Sequence, residues 1–220
     1  MVIHDTYLAQ LCQAAYDPET TWDAKWTSKS VYVYCRKVTE FNGEGSPKTT
    51  YIIVFRGSNN LTDWIDDLKF IPSWHKDLGF CHAGFLEDMD VVVGEILALV
   101  DGRPLVITGH SLGAARACLL GALLTVLGVK PVSITVFGCP RPGFAKLRKV
   151  LQGGGFPLRS YQNLGDIVTT KPWFMGLYKD PIDFTEIQVF DWMDKVGNIP
   201  HHGIHLYVKG AAQYEHQYYD

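Results

Sequence analysis

A serine with glycines two residues away on either side, Gly109-His110-Ser111-Leu112-Gly113, is the part of this chain best suited to chemistry. Leu105 to Thr108 before it reads as a buried apolar strand, and Leu112 to Leu127 after it as a nearly all-apolar helix. A G-x-S-x-G segment between strand and helix makes a tight turn that holds its serine strained and its hydroxyl exposed. The glycines let neighbouring backbone come close. The hydroxyl then lies at a helix N-terminus, where the dipole and free N–H groups favour developing negative charge. A plain strand-to-helix turn with a capping serine fits the same five letters, but the flanking elements favour a nucleophile. His110 points away from Ser111 in such a turn and reads as packing.

A serine hydroxyl is a weak nucleophile near neutral pH. A histidine must take its proton, and a carboxylate must hold that histidine in the right tautomer. Around an elbow of this kind the chain order is serine, acid, histidine. Asp166 follows the strand-like Leu158 to Asn163, which delivers a carboxylate to the sheet edge where the elbow sits; Asp180, Asp183 and Asp191 lack that position. His201, His202, His205 and His216 all lie beyond Asp166. Gly203 to Val208 reads as a last strand, and a base hanging from the chain after that strand is His216, with His201 the runner-up. A metal held by His201, His202 and His205 is disfavoured, because a strand-like spacing separates them and no carboxylate or thiol is near in sequence. No metal and no cofactor is expected.

These groups need elements to position them. Asp5 to Ala15 puts Tyr7, Leu8, Leu11, Cys12 and Ala15 on one helical face, with Asp5 available as N-cap. Val31 to Val38 reads as a half-buried strand and Tyr51 to Phe55 as a continuous apolar one, the two pairing as a hairpin. Ala83 to Val100 reads as a helix, Val132 to Phe137 as a strand, and Asp166 to Val196 as loop-rich. Alternation of strand and helix predicts an α/β fold, a mostly parallel central sheet with helices on both faces. At 220 residues the chain reads as one domain, 1–220.

Composition narrows the partners. A net charge of -3 with no Lys or Arg run argues against nucleic acid. Ala114 to Val129 is too short for a bilayer span and carries Arg116, so no transmembrane segment is expected. The first residues show neither a basic nor an apolar signal region, which favours the cytoplasm and leaves a mature secreted form open. Five cysteines without a C-x-x-C pair read as reduced and structural.

Tyr51-Ile52-Ile53-Val54-Phe55-Arg56-Gly57-Ser58, Asp63-Trp64-Ile65-Asp66-Asp67-Leu68, His82-Ala83-Gly84-Phe85, the Ser111 elbow and Asn163-Leu164-Gly165-Asp166-Ile167-Val168 follow one another along the chain. In that order they resemble the class 3, fungal-type triacylglycerol lipase family of the α/β-hydrolase superfamily. The resemblance implies an α/β-hydrolase fold and hydrolysis of acylglycerols or similar lipid esters by Ser111, Asp166 and a histidine. Glu215-His216-Gln217-Tyr218-Tyr219 resembles the family's Asp-His segment and again points to His216. The resemblance makes Ser58 an oxyanion donor beside the Leu112 N–H, which the elbow itself supplies. It makes the amphipathic stretch 59–69, with Leu61, Trp64, Ile65 and Leu68 on one face, a lid that turns toward a lipid-water interface. By spacing alone that stretch is equally an ordinary surface helix. A short-chain esterase or phospholipase would use the same residues, and a non-catalytic lipid-binding protein would keep the fold. The chain departs from the family at Ala114, Thr169-Thr170 and Glu215, where glycine, a proline and aspartate are usual. Oligomeric state is not legible.

Overall fold

The computed structural model describes residues 2–28, 31–41, 46–59, 71–172, 179–189, 199 and 201–219. The apolar runs form the middle of a seven-stranded sheet. In chain order its strands are β1 (Ala24–Thr27), β2 (Tyr32–Glu40), β3 (Lys48–Phe55), β6 (Leu105–His110), β7 (Ser133–Phe137), β8 (Leu158–Asn163) and β9 (Thr185–Ile187), which are also neighbours in that order. β1, β2 and β3 pair antiparallel, and β3, β6, β7, β8 and β9 run parallel. A separate antiparallel hairpin, β4 (Pro72–His75) and β5 (Gly79–His82), stands outside this sheet.

Both faces of β3 are buried, as its unbroken apolar run requires. Ile53 and Phe55 enter one core with Ile107, Ile134 and Val136, while Ile52 and Val54 enter the other with Val106 and Phe137. The first core is covered by α3 (Met89–Val100), α4 (Leu112–Val126) and α5 (Ala145–Gly153), a short α2 (Ala83–Leu86) preceding them. The second is covered by α1 (Asp5–Ala14) and α6 (Ile204–Tyr219). α4 is buried almost all round, which explains its lack of a polar face.

Three expectations are corrected. Gly203 to Val208 is not a strand: α6 starts at Ile204, and Gly203, Leu206, Tyr207, Gly210 and Ala211 are buried at helical spacing. The alternating, β-branched opening of that segment mimics a strand only when read as far as Val208. Ala83 to Val100 is two helices, broken where Asp88 takes a φ of 61°. Asp5 is not the cap of α1 but its first helical residue, with His4 at the cap. The sequence reading also passes over β1, the β4–β5 hairpin, α5 and β9.

The Asp5 carboxylate is buried against the sheet instead. It accepts from Arg159 Nε at 2.5 Å and Nη2 at 2.6 Å, from Thr135 Oγ1 at 3.0 Å and from the Tyr161 hydroxyl at 2.9 Å. Next to it the Glu215 carboxylate accepts from Thr6 Oγ1 at 2.5 Å and from the Asp5 N–H, so the end of α6 is tied to the start of α1. Removing one member of a buried, hydrogen-bonded charge pair strands the others. Asp5→Ala is therefore expected to cost about 3 kcal/mol in urea unfolding, and an unchanged midpoint at unchanged slope contradicts that role.

Candidate active site

Ser111 links β6 to α4 with φ 60° and ψ -130°, a conformation that an L-residue adopts only under constraint. Its N–H donates to the Phe137 carbonyl at 3.0 Å, which fastens the turn to the end of β7. The flanking glycines are sterically required. A Cβ on Gly113 would lie 2.1 Å from the Phe55 carbonyl oxygen, and one on Gly109 would lie 2.4 Å from that of Gly113. α4 thus starts in contact with the backbone at the end of β3. The chain leaving β3 as Arg56-Gly57-Ser58 is carried past the serine, with a Cβ on Gly57 only 3.0 Å from Ser111 Cβ. Leu112, first residue of α4, has an N–H with no acceptor inside the helix, and Ser58 lines the same cavity as Ser111.

Asp166 follows β8 and caps the short 3-10 helix Ile167–Thr170. Its buried carboxylate accepts from the Val168 N–H at 2.9 Å, the Tyr207 hydroxyl at 2.6 Å and His202 Nδ1 at 2.6 Å. Burial, with Asp166 alongside, raises the Tyr207 phenol well above its ordinary value and so keeps it a donor. A carboxylate only accepts, so His202 Nδ1 carries the proton and Nε2 keeps its basic lone pair. His202 Nε2 and Ser111 Oγ are both buried and have no hydrogen-bond partner among the described residues. Both residues line one cavity of about 360 Å³, together with Tyr16, Ser58, His110 and His205. Asn163 fixes the loop that brings His202 there: its side-chain N–H groups donate to the carbonyls of Val189 and His201.

His216, expected as the base, is not the histidine that this placement brings to Asp166. His216 is exposed near the end of α6, next to the Glu215 that binds the first turn of α1. It stands twelve helical residues beyond Ile204, about 18 Å along the axis. Arg159, beside which that end of α6 lies, is the second residue of β8, whereas Asp166 follows the other end of the strand. His201 does not replace it: its backbone carbonyl is held by Asn163, and the imidazole on Asp166 is that of His202. Ser111 and Ser58 line one cavity, Leu112 is next in the chain to Ser111, and Asp166 meets that cavity through His202; Leu61, Trp64, Ile65 and Leu68 lie outside the described residues.

His202, Tyr207 and His110 are what the sequence reading missed. The signal was the buried spacing of α6: once Ile204 to Tyr219 is a helix, His202 becomes the loop residue entering it. His110 is more than packing, since it faces the cavity with Nε2 2.9 Å from the His202 carbonyl.

An apolar strand, a strained serine at the helix entry and a carboxylate-bound histidine at one sheet edge are arranged as in the α/β-hydrolase fold. The sequence profile described as "Lipase (class 3)" matches residues 52–175, and the chain belongs to that family. It is 30% identical to a lipase of Rhizomucor miehei over 176 residues, 70% of this chain and 48% of that protein. It is 32% identical to the secreted mono- and diacylglycerol lipase A of Penicillium cyclopium over 119 residues, 48% of this chain and 38% of that one. The chain thus spans about half the length of the curated relatives it matches. Among solved structures, the Rhizomucor miehei triacylglyceride lipase superposes with a TM-score of 0.68 at 26% identity, covering 84% of this chain and 79% of that one.

Burial, then the neighbouring His202, push the His110 imidazole well below its ordinary 6.5. The folded protein keeps it neutral where the unfolded chain takes up a proton, so stability is lost as pH falls below about 6.5, by up to about 1.4 kcal/mol per unit for this one group. Urea unfolding between about pH 7 and 5 is expected to be less pH-dependent in His110→Gln than in the wild type. Parallel curves contradict the neutral assignment.

Proposed function

We propose that the chain is a serine carboxylic ester hydrolase that cleaves acylglycerols or similar lipid esters through an acyl-enzyme on Ser111. The observation that carries this reading is the pairing of Asp166 with His202 Nδ1 at 2.6 Å, with Nε2 left to serve Ser111 in their common cavity. Ser111 Oγ attacks the ester carbonyl carbon while His202 Nε2 takes its proton. Negative charge on the carbonyl oxygen is met by the N–H groups of Leu112 and Ser58, with the α4 dipole behind them. The tetrahedral species then expels the alcohol, which leaves with the proton from His202. Water, deprotonated by the same nitrogen, releases the acid and restores Ser111. Asp166 keeps the imidazole in its Nε2-basic tautomer and stabilises the imidazolium. Buried Tyr207 and the Val168 amide hold Asp166 in turn.

Leu164 and Ile167, 48% and 46% exposed, stand on either side of Asp166 in the chain after β8 and leave apolar surface there suited to lipid. The relatives named as lipases and as mono- and diacylglycerol lipases support the same substrate class.

A p-nitrophenyl ester series from acetate to palmitate tests the reading. Hydrolysis is expected to favour chains longer than acetate, and Ser111→Ala to lose about a million-fold in turnover. A maximum at acetate favours a short-chain esterase. No hydrolysis at any length contradicts an enzyme and leaves a lipid-binding protein.

A further inference from the structure

Two imidazoles lie side by side in the cavity. The rings of His110 and His202 are 4.7 Å apart at 32°, yet only His202 reaches the carboxylate. His110 is engaged at both nitrogens: Nε2 is 2.9 Å from the His202 carbonyl oxygen, and Nδ1 is 2.9 Å from the Tyr16 hydroxyl. A carbonyl can only accept, so Nε2 carries the ring proton, and Nδ1 must accept from Tyr16. Tyr16 follows the end of α1 and is donor to that nitrogen. Burial raises its phenol above the ordinary value, which keeps the hydroxyl protonated, and Gly57 is packed against the same oxygen. The contact leaves no room: a Cβ on Gly57 would be 2.3 Å from the Tyr16 oxygen. Donors therefore run one way, from Tyr16 to His110 and from the far side of that ring to the backbone of His202, with Gly57 packed on the Tyr16 oxygen.

We infer that Tyr16, acting through His110, is a positioning residue that ties the segment bearing Ser58 to the loop bearing His202 and so sets the base against Ser111. The inference rests on the ester-hydrolase reading. His110 is bonded directly to Ser111 in the chain, so its ring refers the His202 backbone to the nucleophile's own turn. Without the Tyr16 hydroxyl, a buried Nδ1 lone pair is unsatisfied; the tautomer that relieves it turns a lone pair toward the His202 carbonyl. Either outcome shifts the loop, and a misplacement on the order of 1 Å in a catalytic group costs about a hundred-fold.

The test is a double-mutant cycle of Tyr16→Phe and His110→Gln with p-nitrophenyl butyrate, kcat being taken per Ser111 titrated with a fluorophosphonate. Gln at 110 keeps an N–H toward the His202 carbonyl and loses the atom that Tyr16 serves. Tyr16→Phe is expected to lower kcat by about ten- to a hundred-fold at nearly constant KM in the wild-type background, and by less than about two-fold with Gln at 110. Unchanged kcat in Tyr16→Phe overturns the inference alone, as does an equal loss in both backgrounds or a change confined to KM, which is how a substrate contact would read. A wild-type protein that hydrolyses no ester overturns the hydrolase reading, and the inference with it.

Discussion

The close approach of α4 to the end of β3 governs the rest of the molecule. With the Phe55 carbonyl 2.1 Å from where a Gly113 Cβ would stand, the helix entry and the strand end share one small volume. Ser111 is driven into its φ of 60° there, a conformation that costs on the order of 1–3 kcal/mol. Nearly every side chain of α4 is buried, and a fully buried leucine such as Leu119 contributes about 2 kcal/mol, so the packed helix offsets that strain several times over. The same approach carries Arg56-Gly57-Ser58 past the hydroxyl.

A second constraint sets the histidine. Asp166 is held from three directions by the Val168 amide, the Tyr207 hydroxyl and His202 Nδ1, all within buried surroundings. Tyr207 belongs to α6, and its hydroxyl also receives the Asn163 N–H at 3.1 Å, so helix and strand end are joined through the carboxylate they position. α6 is anchored at its other end by Glu215 on the first turn of α1. The acid, its orienting groups and the loop entering α6 consequently form one hydrogen-bonded unit.

What the sequence made legible follows from the range of the forces involved. β6, α4, β7 and β8 are apolar runs whose burial is decided locally, and the elbow glycines mark a steric need five residues wide; both were read correctly. The place of Asp166 was legible because a strand end fixes it. That of His202 was not, because its hydrogen-bond partner is 36 residues away and its position depends on Ile204 to Tyr219 being helical. The opening Ile204-His205-Leu206-Tyr207-Val208 favours a strand on pattern alone, and only packing against β9 and α1 decides otherwise. The contact between Tyr16 and His110 was invisible for a similar reason: the two stand 94 positions apart. The lid expected over 59–69 belongs almost wholly to the undescribed residues.

The central claim is that His202, oriented by Asp166, is the base for Ser111. It is tested most directly by comparing kcat/KM for ester hydrolysis in His202→Ala and His216→Ala, each shown to unfold cooperatively. His202→Ala is expected to lose about 10⁴- to 10⁶-fold, as loss of a triad histidine does, while His216→Ala stays within about two-fold of wild type. A collapse of activity in His216→Ala with His202→Ala still active contradicts the account.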